Sequence, residues 1–157
     1  MALAIFDLDN TLLAGDSSHR WGEFLVQVGL ARSSNFTEKI DQFCSDYQSG
    51  GLDMAAYLQF VLEPLRGKTR EAIRPLQQQI MQSCIEPMLL DEAFELIQRH
   101  RAAGDILLLM TATHTVVAEP VAARLGFEHY LASKAEVCNN QFTGYSIGKP
   151  CFQAGKV

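Results

Sequence analysis

A short apolar run followed by a polar turn opens the chain. Residues 2–6 are all apolar, and Asp7, Asp9 and Asn10 come directly after them. An apolar run of this length that ends in turn-forming residues is typical of a strand buried on both faces, as in a parallel sheet. In open α/β sheets, ligands bind just beyond the carboxyl ends of the strands. The pattern therefore predicts a buried first strand with two carboxylates at the functional edge of a sheet.

Residues 15–86 have helical spacing of their apolar positions and no strand pattern. Turn and N-cap residues at 15–18 begin the stretch, and breaks fall at Gly29, at 49–51 and near Pro64. The stretch is either a helical domain inserted between the first strand and the rest of a sheet, or a plain bundle with the first strand as an arm. The apolar positions of the predicted helices are Trp21, Phe24, Leu25 and Val28; Phe36, Ile40, Phe43 and Tyr47; Met54, Tyr57, Leu58, Val61 and Leu62; and, over residues 69–84, Ile73, Leu76 and Ile80.

Strands alternate with helices after residue 87. An amphipathic helix that ends near Gly104 precedes a second apolar strand at 106–110, a polar turn at 111–114 and a helix closed by Gly126. Strand, polar turn and helix form the repeating unit of a parallel sheet. We therefore predict an α/β fold, with a Rossmann-like parallel sheet core from residues 1–14 and 87–157 and an inserted helical domain at 15–86.

The last segment predicts a short strand and a hairpin. Residues 130–133 form the strand, and residues 136–145 form a hairpin that turns at Asn139 and Asn140, because Asn tolerates positive φ. Two lysines, Lys149 and Lys156, follow the hairpin.

Composition and charge exclude several classes of protein. The chain has 157 residues, of which 48% are hydrophobic and 20% charged, as in an ordinary globular domain. Its net charge of −5, without a basic block, argues against a nucleic-acid partner. No stretch approaches the length of a membrane span, and the N-terminal run lacks the features of a signal peptide. The four scattered cysteines argue against a zinc site or a disulfide framework. We therefore expect a cytoplasmic protein without a membrane partner.

Asp7 and Asp9 are the strongest candidates for chemistry. Side chains at i and i+2 of an extended chain share a face, and two carboxylates there raise each other's pKa unless a cation offsets the repulsion. Mg²⁺ suits such oxygen ligands and commonly shares them with a substrate phosphate. One carboxylate can attack phosphorus while the other moves protons. The alternative is a pair of turn-forming acids that cap a helix; the preceding strand and Thr11 favour the chemical role.

Residues 6–12, Phe-Asp-Leu-Asp-Asn-Thr-Leu, resemble the first motif (Asp-x-Asp-x-Thr) of the haloacid dehalogenase-like phosphatases. The resemblance implies a Mg²⁺-dependent phosphomonoester hydrolase that works through an aspartyl-phosphate intermediate. Asp7 and Asp9 would be catalytic residues and Mg²⁺ ligands, and Thr11 would belong to the substrate-binding residues. The helices at 15–86 would form a cap that covers the active site and selects a small phosphorylated metabolite.

Two further segments are similar to later motifs of that family. Thr111 ends the second apolar strand, where the family has a Ser or Thr whose hydroxyl holds a phosphoryl oxygen, and Ala112 would lie beside it in the substrate site. The alternative for Thr111 is a helix-entry residue. Lys156 matches by position the lysine that offsets negative charge on the phosphoryl group in the phosphoserine phosphatase-like branch. Lys149 is the fallback, and a solvated surface lysine is the alternative.

The family's fourth motif, a strand ending in acids that complete the Mg²⁺ site, has no counterpart before Val157. We therefore expect a fragment or truncated form of a longer phosphatase, with the first strand as an unpaired sheet edge and weak or no turnover. Low activity combined with normal Mg²⁺ affinity would contradict that reasoning. A non-catalytic binding protein that keeps the fold is the alternative from another class.

The substrate is expected to carry an amine and no carboxylate. Asp16 lies where phosphoserine phosphatases carry an acid that meets the substrate's amine, although it also suits an N-cap. The position of their carboxylate-binding arginine falls near Gln59. Residues 6–17 are similar to a bacterial group that includes histidinol-phosphate phosphatases, so histidinol phosphate is the leading candidate, with phosphoserine and a phosphotransferase reaction as alternatives. His19 and Trp21 would lie near the entrance of the cap, where either could contact an imidazole ring, although Trp21 is more typical of the core. His114 follows the second motif and could line the pocket, and a polar loop residue is the alternative.

Overall fold

The computed structural model describes residues 1–32 and 34–156, and its centre is a parallel sheet of order β1–β2–β3. The strands are β1 (Leu3–Phe6), β2 (Ile106–His114) and β3 (His129–Ser133). Leu3 pairs with Ile106, and Leu109 pairs with Tyr130, so β2 lies in the middle of the sheet. The α/β class with a parallel sheet core is thereby confirmed.

Helices α1 to α4 lie between β1 and β2 along the chain, as the sequence predicts. Their bounds are α1 Ser17–Gln27, α2 Ser34–Gln48, α3 Met54–Leu62 and α4 Arg70–Ile80, followed by α5 Asp91–Ala102 and α6 Thr115–Leu125. The fourth helix ends earlier than the predicted Cys84, because a π-helical turn over Met81–Ile85 takes over from the α-helix. Short 3₁₀ turns span Glu63–Leu65 and Glu86–Met88.

The predicted hairpin is confirmed as β4 (Ala135–Cys138) and β5 (Gln141–Ser146). Asn139 and Asn140 form its turn with φ values of 50° and 63°, the left-handed conformation that Asn tolerates. Two backbone hydrogen bonds join β5 to the loop before α4. Gly67 N–H donates to Phe142 O at 2.8 Å, and Phe142 N–H donates to Lys68 O at 2.9 Å. The hairpin is therefore attached directly to the helical segment.

Burial on both faces of β1 was predicted, and this prediction is wrong for the described residues. Ala4 and Phe6 are buried, but Leu3 and Ile5 are 57% and 56% exposed. The buried face meets α5, where the ring of Phe6 contacts His100 edge-on. The opposite face is open, and β1 is an edge strand that pairs only with β2 within the described residues.

Strand β2 is longer than predicted, and this difference matters for the site. Residues 111–114 continue the strand instead of forming a turn, and the pairing with β3 shifts between Met110 and His114. Buried and less buried residues alternate along β2 as far as Thr113, and Thr113 and His114 at its end are both buried.

The buried residues form one contiguous core that includes both the helices and the sheet. Trp21 is 1% exposed, and its indole N–H donates to the Val61 carbonyl at 3.0 Å, which confirms it as a core residue. Helices α1 and α2 approach closely at Gly22, where a Cβ would lie 2.8 Å from Ile40 Cγ1. The division into a core and a cap at residue 15 and residue 86 remains a prediction.

No helix among the described residues is both long enough and apolar enough to cross a membrane.

Candidate active site

A cavity of about 240 Å³ lies at the carboxyl ends of β1 and β2. Its volume is somewhat below the usual range for drug-sized ligands and suits a small metabolite. At the sheet, its wall includes Asp7, Asp9, Ala112 and Thr113, and the helical segment covers the other side. The cavity therefore lies where ligands of open α/β sheets bind.

The loop after β1 turns tightly around one carbonyl oxygen. Leu8 O accepts hydrogen bonds from the N–H groups of Thr11, Leu12 and Leu13 at 3.2, 3.0 and 3.1 Å. Asn10 has φ of 57°, and its N–H donates to Gly15 O at 3.0 Å. Leu8 is fully buried, so the residues on either side of it face away from the core and both carboxylates reach the cavity.

Asp7 is the accessible carboxylate of the pair. Its side chain is 51% exposed, and Oδ1 accepts from Leu8 N–H at 3.0 Å and from Lys156 Nζ at 3.3 Å. No protein donor among the described residues reaches Oδ2. Asp7 can thus present a free oxygen to a bound phosphate while the ammonium group of Lys156 lies beside its other oxygen.

Asp9 is the more enclosed carboxylate and is held by hydrogen bonds. Oδ1 accepts from Ser17 N–H at 2.7 Å, and Oδ2 accepts from the Thr113 hydroxyl at 3.0 Å. The Ser17 and Thr113 hydroxyl oxygens are 2.9 Å apart, so Ser17 donates to Thr113 while Thr113 donates to Asp9. Burial raises the pKa of Asp9 above its usual value, and the hydrogen bonds from Ser17 and Thr113 oppose the rise. A raised pKa suits a carboxyl group that gives and takes protons near neutral pH.

Lys156, not Lys149, lies beside Asp7. The final 3₁₀ turn, Gln153–Lys156, carries it there, and Gly155 packs so closely that a Cβ would collide with the Pro150 carbonyl. Lys149 Nζ instead donates to Ala154 O at 3.1 Å and braces this turn.

Three other predicted residues have different placements around the cavity. Ala112 lines it. Thr111 is fully buried behind it, where its hydroxyl accepts from Thr113 N–H at 3.1 Å. Thr11 is exposed and lies outside the cavity wall.

Asp16 is confirmed as a helix N-cap, and its side chain also lies in the cavity wall. Oδ1 accepts from Ser18 N–H at 2.7 Å and caps α1, and the side chain lines the cavity. His19 lies outside the wall and pairs with Glu23 and Asp41, each at 3.3 Å.

His114 does not line the pocket, contrary to expectation. Because β2 continues through residue 114, the side chain points into the core, where its ring packs edge-on against Trp21 with centroids 4.9 Å apart. It is 1% exposed, and neither ring nitrogen has a hydrogen-bond partner in the described structure. Burial lowers the pKa of His114 from 6.5 to about 3.

Acid is expected to destabilise the fold through His114. Below pH 6.5 the His114 ring is protonated in the unfolded chain but stays neutral in the folded chain. The free energy of unfolding therefore falls as the pH drops from 6.5 towards 3. Between pH 6.5 and pH 5 the expected loss in free energy of unfolding is about 2 kcal/mol. Urea unfolding at pH 7 and pH 5 measures it, with His114→Leu as the comparison because it removes the titrating ring. Equal acid sensitivity of the two proteins would contradict this account.

The charges around the cavity fit a divalent cation. Among the described residues, its wall carries the carboxylates of Asp7, Asp9 and Asp16 and only one basic side chain, Lys156. Anywhere in residues 1–32 and 34–156, there is no group of three or more His, Cys, Asp or Glu side chains that could hold a metal ion. Mg²⁺ is commonly bound by one or two carboxylates together with water and substrate phosphate. Asp7, whose Oδ2 has no donor among the described residues, is the better placed of the two predicted ligands, because both oxygens of Asp9 already accept hydrogen bonds.

The sequence analysis missed several groups in the wall, among them Thr113 and Cys44. Thr113 was predicted as part of a turn, and its link to Asp9 spans 104 residues of sequence. The alternation of Thr111 and Thr113 is a strand pattern that could have revealed it. The sequence analysis considered Cys44 only as one of four scattered cysteines. Burial raises the pKa of its thiol to about 11, so the thiol stays protonated at neutral pH.

Known proteins resemble this chain in sequence and in fold. Residues 4–157 match the sequence family described as haloacid dehalogenase-like hydrolase. A histidinol-phosphatase of Neisseria meningitidis is 34% identical over 156 residues, which cover 99% of this chain and 70% of that protein. A phosphoserine phosphatase of Mycobacterium tuberculosis is 31% identical over 163 residues, covering 99% of this chain but only 51% of its own length. A Bordetella pertussis protein of unknown function superposes with a TM-score of 0.89 at 33% identity, covering 99% of this chain and 70% of that one.

The family match and the named relatives place the chain among hydrolases of the phosphatase type. The chain belongs to the haloacid dehalogenase-like hydrolase family, and its named relatives support a phosphatase.

Proposed function

We propose that the protein is a Mg²⁺-dependent phosphomonoesterase that uses Asp7 as its nucleophile and acts on a small amine-bearing phosphate such as histidinol phosphate. One observation carries the proposal: Asp7, Asp9 and Lys156 share a single cavity beyond the ends of β1 and β2. The paired carboxylates differ in exposure and in hydrogen bonding, and this difference assigns them different roles.

In the first step, a carboxylate oxygen of Asp7 forms a bond to phosphorus and the ester P–O bond breaks. The proton on Asp9 passes to the leaving alkoxide, so Asp9 becomes ionised. Lys156, 3.3 Å from Asp7 Oδ1, offsets negative charge at the nucleophile and the phosphoryl group. The product of this step is an aspartyl phosphate and a free alcohol.

In the second step, water attacks phosphorus and gives its proton to Asp9, which restores the protonated carboxyl group. The acyl phosphate bond breaks, Asp7 is released as a carboxylate, and inorganic phosphate leaves. The hydrogen bonds from Ser17 and Thr113 hold Asp9 in place for both transfers. Mg²⁺ held by the Asp7 carboxylate, next to Asp9, would neutralise charge on the phosphoryl oxygens.

The charges of the wall support a substrate with an amine and without a carboxylate. Asp16 can attract an ammonium group, whereas the only basic side chain in the described wall, Lys156, is engaged by Asp7. Gln59, at the predicted arginine position, lines a different cavity. A substrate carboxylate would thus lose its hydration without gaining a cationic partner.

Substrate preference is expected to follow this reasoning. With Mg²⁺ present, kcat/KM for L-histidinol phosphate should exceed that for phosphoserine by about a hundredfold, the cost of leaving a buried charge without a partner. Phosphate release from a panel that also contains p-nitrophenyl phosphate measures the ratio. Preference for phosphoserine would contradict the proposed substrate. No phosphate release from any member by a protein that binds Mg²⁺ with normal affinity would contradict the proposed reaction.

A further inference from the structure

Tyr57 on α3 has a buried hydroxyl group without a hydrogen bond. The residue is 5% exposed, and its ring packs edge-on against Phe43 with centroids 5.5 Å apart. No hydrogen-bond partner for the hydroxyl occurs in the part of the chain that the structure describes. Buried hydroxyls are nearly always paired, so an unpaired one in a cavity wall indicates a missing partner.

The same side chain lines the active-site cavity. Ser18 is close enough to lower the pKa of the Tyr57 phenol, but the two hydroxyls lie outside hydrogen-bonding geometry. Burial is the larger effect and raises the pKa of Tyr57 far above its usual value, so the hydroxyl stays protonated. It can therefore both donate and accept a hydrogen bond to a ligand.

Two carboxylates share the cavity wall with Tyr57. Asp16 and Asp9 line the same cavity and both raise the pKa of Tyr57. Within the described residues, Asp16 has one oxygen without a donor, because Ser18 N–H reaches only Oδ1. A cationic nitrogen between Tyr57 and Asp16 would satisfy the hydroxyl oxygen and the carboxylate together.

We propose that Tyr57 is a specificity-determining residue whose hydroxyl accepts a hydrogen bond from the ammonium group of the substrate, with Asp16 as the opposing charge. This inference rests on the proposed function, since it concerns the part of the substrate that does not react. Tyr57 would distinguish amine-bearing phosphomonoesters from those that lack an amine.

The test compares Tyr57→Phe with the unsubstituted protein on two substrates. The ratio of kcat/KM for L-histidinol phosphate to that for p-nitrophenyl phosphate, which has no amine, is expected to fall about tenfold, mainly through KM. The thermal midpoint should stay equal or rise, because an unpaired buried hydroxyl is removed. Tyr145→Phe is the matched control: Tyr145 lies on β5, is 44% exposed and is outside the cavity wall, so the ratio should not change.

Binding gives a second measurement that needs no turnover. Calorimetry with L-histidinol phosphate on Asp7→Asn, with and without Tyr57→Phe, should show about tenfold weaker binding in the double variant. An unchanged ratio and unchanged binding would overturn the proposal. Equal losses on both substrates with a lowered thermal midpoint would also overturn it, since they indicate a purely structural role. If Asp7→Asn instead retains full activity, the proposed reaction fails, while the binding comparison still decides the role of Tyr57.

Discussion

Asp7→Asn should lower phosphate release by about a thousandfold or more, because an amide has no anionic oxygen to attack phosphorus. Folding should be nearly unaffected. The side chain is half exposed, and its contact with Lys156 is a partly exposed ion pair of the kind that contributes little to stability. Steady-state phosphate release and thermal unfolding of the same samples measure the two effects.

Asp91→Asn is the control for this substitution. Asp91 lies exposed in the first turn of α5 and is not part of the cavity wall, so its variant should keep full activity. An Asp7→Asn protein that is folded and turns over at the unsubstituted rate would contradict the assignment of Asp7 as the nucleophile.

Asp9→Asn should slow hydrolysis of an alkyl phosphate by about 10²–10⁴-fold, the usual contribution of a positioned acid or base. The fold should tolerate the amide, because its oxygen can still accept from Ser17 N–H. Its NH₂ group can donate to the Thr113 hydroxyl, which then donates to Ser17 instead.

The choice of leaving group separates the two tasks of Asp9. p-Nitrophenolate leaves without a proton, so the Asp9→Asn variant should release p-nitrophenol in a burst of about one equivalent and then stall at the hydrolysis of the aspartyl phosphate. L-Histidinol phosphate, which needs a proton on its leaving alkoxide, should give no burst. Rapid-mixing absorbance measurements follow the p-nitrophenol directly. Equal rates for the variant and the unsubstituted protein would contradict the proton-transfer role.

Local patterns in the sequence were sufficient to predict much of the fold. The apolar run before Asp7 predicts β1, and the Asn139–Asn140 pair predicts a hairpin turn, because both features depend on neighbouring residues. The exposure of Leu3 and Ile5 could not be predicted, since burial on the second face of a strand depends on what packs there. The length of β2 was also missed, because Thr and His are compatible with both a turn and a strand.

The site was predictable only as far as its motifs extend. Asp7, Asp9 and Lys156 were expected together and lie around one cavity. The partners that hold Asp9 were not expected: Thr113 reaches it from another strand, and such contacts leave no local signal. Tyr57 belongs to the apolar stripe of α3, and this pattern predicts a core residue. Only the structure shows that its hydroxyl has no hydrogen-bond partner among the described residues. His114 shows the converse, since its position after a strand suggested the site but its side chain is in the core.

Chemical trapping of the phosphorylated residue tests the central claim most directly. Borohydride added during turnover of an alkyl phosphate reduces an acyl phosphate to an alcohol, and peptide mass spectrometry then locates the reduced residue. The mechanism predicts reduction at residue 7, dependent on substrate and absent in the Asp7→Asn variant. Steady turnover with no reduction at residue 7, or with the phosphoryl group found on another side chain, would contradict it.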